Sequence, residues 1–431
     1  MDEQKKIIEK LRETIKRNWV EVLDSATIFV KWMCFAVLAG VVVGLFSILF
    51  VKSLSFVTNF RTTHSHMIYF LPLGGLLIVA LYHTFSKNDR GTNLVISTIQ
   101  AKAEIPFRMA PLIYISTVIT HAFGGSAGRE GAALQLGGSI GNGLARVLKL
   151  DENDTRVLVM CGMSAAFSAM FGTPMAASIF SLEVVSVGVM YYAALVPCVF
   201  SSLIASIFAT QMEIAPETFT VLSIPDFGLP SLISFTILGI LCALVSIAFC
   251  VMLHGTGELF HKHLKNPYVR IVFASILIIL LTLLIGTQEY SGTGIPLIEE
   301  AFEGNVKPYT FLLKMIFTAL TLEAGFKGGE IVPSFTIGAT FGCLFAGLFG
   351  LSPSLGAAVG MVSVFCGVTN CPITSMIIGF ELFGFDAMKF MLISVSISYM
   401  LSGYYGLYKD QTIVYSKYQT KFINRKTKHL P

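Results

Sequence analysis

The segment Gly124-Gly-Ser-Ala-Gly-Arg-Glu-Gly-Ala-Ala-Leu-Gln-Leu-Gly-Gly-Ser-Ile-Gly141 is the densest chemical motif in the chain. A glycine-rich turn that opens a helix exposes several backbone N–H donors at the positive end of the helix dipole. It can therefore hold an anion without a full positive charge. Such a site binds without trapping, which permeation requires. Glu130 lies inside this turn, with Arg129 as its only charged neighbour. An ionisable side chain at the bilayer centre costs about 2.5–3.5 kcal/mol on insertion scales, so its presence there marks function. Ionised, Glu130 would occupy the anion's place; protonated, it would swing out and free the path, coupling proton and anion occupancy. The structural alternative is a Glu130 that pairs with Arg129 and caps the helix.

A second turn, Gly328-Gly-Glu-Ile-Val-Pro333, has the same form, with Pro333 in the first helical turn where its missing N–H costs nothing. The N–H groups of Gly128, Arg129 and Gly131 in one turn, and of Glu330, Ile331 and Val332 in the other, are the expected anion donors. Glu330 could instead pair with Lys327. Glu183 and Glu381 each follow a proline by nine residues, and interhelix hydrogen bonding is the simpler account of both. Gly124-x-Ser126-x-Gly128 formally matches a hydrolase nucleophile elbow. That motif needs a strand before the serine, however, and the run Met109 to Phe123 reads as a helix. Ser126 reads better as a small residue that allows close packing. Tyr408 closes the last apolar run and could offer its phenol to an anion, or sit in an interfacial aromatic belt.

These residues need a membrane to act in. Of 431 residues 54% are hydrophobic and 13% charged, against about 25% charged in soluble domains. A net charge of +4 is too slight for nucleic acid. Uncharged runs of about 20 residues mark membrane spans: Trp32 to Val51, Met109 to Gly128, Phe227 to Gly257 and Phe390 to Tyr408. The runs Ile331 to Phe380, and Met160 to Leu182 followed by Val184 to Met212, must each fold into several helices. No period-2 alternation supports an outer-membrane barrel. Gly and Pro interrupt the runs repeatedly, and helices broken at membrane depth are tolerated where they line a cavity. Eight cysteines and eight histidines show no metal spacing, so no metal, cofactor or catalytic group is expected.

The chain also echoes itself. Gly91-Thr-Asn-Leu-Val matches Gly292-Thr-Gly-Ile-Pro; Gly124-Gly125 matches Gly328-Gly329; Cys161-Gly-Met matches Cys366-Gly-Val; and Pro174 with Glu183 matches Pro372 with Glu381. The order predicts two transmembrane repeats, 27–212 and 231–408, joined by a linker at 213–230; opposed orientation is expected only because repeats in transporters often have it. Residues 1–26 carry interspersed charges around Ile7, Ile8, Leu11, Ile15 and Trp19, which predicts an amphipathic cytosolic helix. Residues 409–431, with Lys417, Lys421, Arg425, Lys426 and Lys428, read as a basic cytosolic tail. With 23 residues after Tyr408, no appended soluble domain is expected.

The block Gly124 to Gly141 resembles the GREGP motif of the CLC family of chloride channels and chloride/proton antiporters, and Gly328 to Pro333 resembles its GGxFxP motif. The segment Cys161 to Glu183 is similar to the helix pair that follows, and order and spacing agree from about residue 30 to Tyr408. The resemblance implies an all-α polytopic membrane protein, an inverted-repeat bundle of tilted and broken helices. It implies a homodimer in membrane lipid, in a bacterial plasma membrane, with one path for chloride or fluoride and protons per subunit. It makes Glu130 the gate and Tyr408 the central tyrosine, and it puts Thr92 in the place of the central serine. Ser291-Gly-Thr-Gly-Ile-Pro296 looks more like the family's GSGIP segment but lies in the second repeat, and is rejected as the central-site segment. Ala132 replaces the motif proline. The antiporters' internal proton glutamate would fall on Val184, which leaves Glu183, one residue earlier, as a possible proton-path group. Gly91-x-Asn-Leu and Gly-Gly-Glu are similar to the fluoride/proton branch, although Thr92 stands where that branch has methionine and Val332 where it has threonine. Chloride and fluoride, antiporter and channel therefore all stay open.

Overall fold

The computed structural model describes residues 2–86 and 91–427; Lys428 of the tail and the side chains of Ile7, Ile8 and Leu11 lie outside the described residues. The first repeat comprises α1 (Asp2–Thr63), α2 (Leu71–Phe85), α3 (Thr92–Ile99), α4 (Met109–Ala122), α5 (Glu130–Val147), α6 (Glu152–Phe171), α7 (Pro174–Glu183) and α8 (Leu195–Gln211). The second comprises α9 (Leu229–His263), α10 (Pro267–Ile285), α11 (Ile295–Glu303), α12 (Thr310–Ala324), α13 (Ile331–Phe349), α14 (Pro353–Thr369), α15 (Pro372–Phe383) and α16 (Met388–Leu401). Six helical stretches among the described residues are long and apolar enough to cross a membrane.

Uncharged runs overstate helix length here. The run Met109 to Gly128 contains a 14-residue helix, α4, followed by the glycine turn, and Phe390 to Tyr408 likewise lies mostly in the 14-residue α16. A buried turn needs no charge, so charge-free sequence does not distinguish it from helix. At the other extreme α1 runs 62 residues without a break, so the segment 1–26 and the first span are one helix; Trp19 on it is 63% exposed.

The two repeats pack in the same way. A Cβ on Gly137 of α5 would lie 2.2 Å from the Gly162 carbonyl oxygen of α6, and one on Gly141 would lie 2.5 Å from that of Leu158. In the second repeat Gly338 of α13 faces the Gly360 carbonyl of α14 at 2.4 Å, and Gly342 faces that of Gly356 at 2.0 Å. Small residues let these backbones touch. The contacts also fix the register. Gly137 and Gly141 correspond to Gly338 and Gly342, whereas Gly162 corresponds to Gly360, so Cys161-Gly-Met aligns with Val359-Gly-Met and not with Cys366-Gly-Val. The match of Gly124-Gly125 to Gly328-Gly329 is corrected in the same way, because Gly128 pairs with Gly329 in an isolated antiparallel bridge.

The halves join through phenylalanine. Phe171 stacks on Phe335 with ring centres 5.4 Å apart, Phe335 meets Phe365 at 4.9 Å, and Phe365 meets Phe180 at 6.0 Å. They also join through exchanged caps. Proline at the first position of α7 and of α15 leaves the next two N–H groups free. Glu183, ending α7, accepts from the N–H groups of Ile373 (3.0 Å) and Thr374 (2.8 Å) and from the Thr374 hydroxyl (2.6 Å). Glu381, near the end of α15, accepts from Met175 and Ala176, both at 2.8 Å. Each helix thus caps the other.

The tail is folded rather than free. β1 (Ser186–Val187), β2 (Thr412–Tyr415) and β3 (Phe422–Lys426) form a sheet in that order, the first pair parallel and the second antiparallel.

Candidate functional site

At the bridge, the N–H of Gly128 donates to the Gly329 carbonyl and the N–H of Gly329 donates to that of Gly128, both at 2.7 Å. Equivalent turns that pair antiparallel are related by a local two-fold axis, and two helices start beside it. In α5 the first main-chain bond runs from Ala133 N–H to the Arg129 carbonyl, so the N–H groups of Glu130, Gly131 and Ala132 precede the helical ladder. In α13 Ser334 N–H donates to the Glu330 carbonyl, which leaves those of Ile331 and Val332, since Pro333 has none. The bare Cα of Gly131 is required: a Cβ there would lie 2.8 Å from the Gly329 Cα, 3.2 Å from Glu330 Oε2 and 3.5 Å from Thr92 Oγ1.

Around this point the polar side chains of the site gather. Thr92, 4% exposed at the start of α3, donates to the Gly131 carbonyl at 3.4 Å and accepts from Gln135 Nε2 at 3.3 Å. Tyr408 is 1% exposed and its phenol oxygen has no hydrogen-bond partner among the described residues, although it lies within electrostatic reach of Glu330 and Glu130. Glu330 Oε2 is buried without a partner among the described residues and makes no ion pair with Lys327, whose ammonium stands 4.4 Å over the Tyr82 ring. Burying polar groups unpaired is costly, so a site that keeps two of them is built for something else to meet them.

Glu130 is fully buried. Its carboxylate accepts from Arg129 N–H at 3.1 Å and lies 3.4 Å from Arg129 Nε, while the other end of that guanidinium pairs with Glu217 of the linker. In this conformation Glu130 makes the pairing that the capping account expects, one residue from Thr92's contact at Gly131. Glu183 lies apart from these groups and makes the interhelix bonds described above.

A vestibule of about 470 Å³ leads to the site from one side, lined by Gly91, Asn93, Gln135, Glu323, Glu330 and Asp410 among others. Its wall is held by long-range bonds: Asn93 Oδ1 accepts from Asp410 N–H at 3.0 Å, Ser97 donates to Asp410 at 2.9 Å, and Gln100 donates to the Asp410 carbonyl at 2.9 Å. The Tyr408 carbonyl accepts from the Thr427 hydroxyl at 2.8 Å, so the folded tail sets the phenol's backbone. Gln135 and Asp410 escaped the sequence reading. Gln135 lies one helical turn beyond Gly131, a spacing that could have flagged it.

Ser126 is fully buried, preceded by helix α4, and its hydroxyl bonds to Thr318 at 3.1 Å and to the Lys314 ammonium at 3.0 Å. Lys314 also donates to the carbonyls of Tyr290 (3.2 Å) and Gly292 (2.8 Å), so all three of its protons are engaged and it is placed as a donor, not a base. The elbow context of strand, serine and helix is not met.

The chain matches the family model described as voltage gated chloride channel over residues 74–403. It is 35% identical to the chloride/fluoride channel protein of Pseudomonas syringae pv. tomato, over 92% of this chain and 90% of that one. It is 24% identical to the H+/Cl− exchange transporter ClcA of Vibrio cholerae, over 80% and 81% respectively. The crystal structure of a CLC-type fluoride/proton antiporter superposes with a TM-score of 0.86 at 34% identity, covering 89% of this chain and 98% of that one. With the inverted pair of broken halves and the two turns meeting at their bridge, these similarities place the chain in the family of voltage-gated chloride channels, the CLC family.

Proposed function

We propose that this protein exchanges a small halide anion for protons across the membrane, with Glu130 as the gate. The observation that carries the proposal is the meeting of two helix N-termini from opposite repeats, at Gly131 and Ile331, beside the hydroxyl of Thr92 and the unpartnered phenol of Tyr408. The N–H dipoles of Gly128 to Gly131 and of Glu330 to Val332 attract the anion; Thr92 and Tyr408 bound it. Ionised Glu130 contends for the same donors, and its protonation yields them to the anion. A tenfold proton gradient supplies about 1.4 kcal/mol per proton, enough to bias that exchange. Fluoride is the favoured ion, because the 35%-identical relative and the 34%-identical antiporter both carry it in their names. Proton transfer between Glu130 and the vestibule is assigned to Glu330, with Glu183 as the rival.

The protein functions as a homodimer in a bacterial plasma membrane, with both termini cytosolic. The basic residues Lys417, Lys421, Arg425 and Lys426 support that orientation. The test is reconstitution into liposomes, following fluoride and chloride efflux and internal pH under a potassium-ionophore voltage clamp. Anion efflux should drive protons against their gradient, and Glu130→Ala should abolish this. Anion flux with no proton movement in the unmodified protein would instead make it a passive channel. Absence of any anion flux would reject transport.

A further inference from the structure

A second cavity of about 610 Å³ is bordered by Arg61, Thr62, Ser291, Thr293 and Gly294. At the offset set by the Gly128–Gly329 bridge, the turn Gly292-Thr293 beside it is the second repeat's counterpart of Gly91-Thr92, and Gly91 lines the vestibule. The two cavities differ in charge. Arg61, at the end of α1, is 7% exposed; among the described residues its Nε has no hydrogen-bond partner and it makes no ion pair with a carboxylate. Its guanidinium lies across Gly124 and Gly292; a Cβ on Gly292 would be 3.1 Å from Arg61 Nη2. Both glycines have positive φ, 86° and 69°, so no side chain is readily accommodated between the guanidinium and the two turns.

Beneath Gly292 lies the fully buried Lys314, held by Ser126 and two carbonyls and likewise without a carboxylate. The nearest acid lining the cavity, Glu289, pairs with Lys307 at 3.1 Å. Ser291 is 5% exposed, and its hydroxyl has no partner among the described residues. The short helix α11 follows, with Gly294 as its N-terminal flank.

We propose that this cavity is a second binding site for a small inorganic anion, held by the Arg61 guanidinium and the hydroxyls of Ser291 and Thr293. A buried guanidinium without an acid needs compensation, and an arginine stays charged at any working pH. The second-repeat segment rejected for the central site thus acquires an anion of its own. A site there loads the path by raising the anion's local concentration. The proposal rests on the transport reading only for the class of ion.

The test is equilibrium titration of the purified full-length protein in detergent with sodium fluoride and, separately, sodium chloride, counting sites per subunit. The unmodified protein should show two sites for at least one of the two salts. Arg61→Gln should remove one and leave the other, and Ser291→Ala, too small a change to threaten folding, should weaken the same site about tenfold. Tyr408→Ala should remove the other site and leave the Arg61 site intact. Unchanged stoichiometry and affinity in both Arg61→Gln and Ser291→Ala would overturn the proposal. Unchanged binding in Tyr408→Ala alone would count against the central site only.

Discussion

The two repeats share a backbone plan at the bridge and differ in where they place charge. With Gly128 opposite Gly329, Arg129 corresponds to Glu330 and Glu130 to Ile331. The first repeat therefore has an acid at the first position of its helix, where the second has an aliphatic residue, and the second has its acid one position earlier, as the N-terminal flank. The backbone donors are nearly symmetric, so both turns can serve an anion. The side chains are not, so only one turn carries a residue that reaches Arg129 and competes from within. The same asymmetry recurs one layer out, where Lys314 corresponds to Ile113, which lines the vestibule. Duplication supplied a symmetric cradle, and substitution at a few positions gave it a direction.

Glu130→Ala should break this asymmetry most completely: proton movement in liposomes falls to background while anion flux persists and loses its pH dependence. Placing a methyl on either close crossing comes next. Gly137→Ala and Gly338→Ala, aimed at carbonyls 2.2 and 2.4 Å away, should each lower thermal stability in detergent by about 1–3 kcal/mol or more. The two losses should match, because the crossings are equivalent. The exchanged caps give a smaller effect. Glu183→Gln and Glu381→Gln should each cost about 1–2 kcal/mol in the same thermal assay, Glu183→Gln more because its carboxylate accepts three bonds against two. If Glu183→Gln instead left stability untouched and stopped proton movement, Glu183 would be the proton-path residue rather than a clamp. Smallest of all, Thr92→Val should weaken anion binding about three- to tenfold, or roughly 0.7–1.4 kcal/mol, leaving coupling intact.

Much of this was legible in the residues. The glycine turns before Glu130 and Ile331 announced helix N-termini because few other residues permit such close backbone approach, as the 2.8 Å between a Gly131 Cβ and the Gly329 Cα demonstrates. The pairing of Pro174 with Glu183 and of Pro372 with Glu381 was visible at constant spacing, since a missing N–H and a distant carboxylate leave a fixed mark. Register was less legible. Cys161-Gly and Cys366-Gly look alike, yet the crossings are decided by Gly137 and Gly141 facing the carbonyls of Gly162 and Leu158, and by Gly338 and Gly342 facing those of Gly360 and Gly356, and identity of letters does not report which face a residue is on. The strands of the tail were not legible for a related reason: Thr412 to Lys426 is short, polar and basic, and the strand that β2 pairs with in parallel lies more than 200 positions upstream. Arg61 and Lys314 gave no signal because each looks like an ordinary charge at the edge of an apolar run until the loop that covers it is known.

The bond from Thr427 to the carbonyl of Tyr408 has a mechanical implication. Thr427 is moored to the main chain of Tyr408, the residue proposed to bound the anion, so tension applied to the tail is transmitted to the backbone that carries the phenol. Clipping the protein just ahead of Thr427 should loosen the phenol and alter ion affinity although every residue of the proposed site is still present.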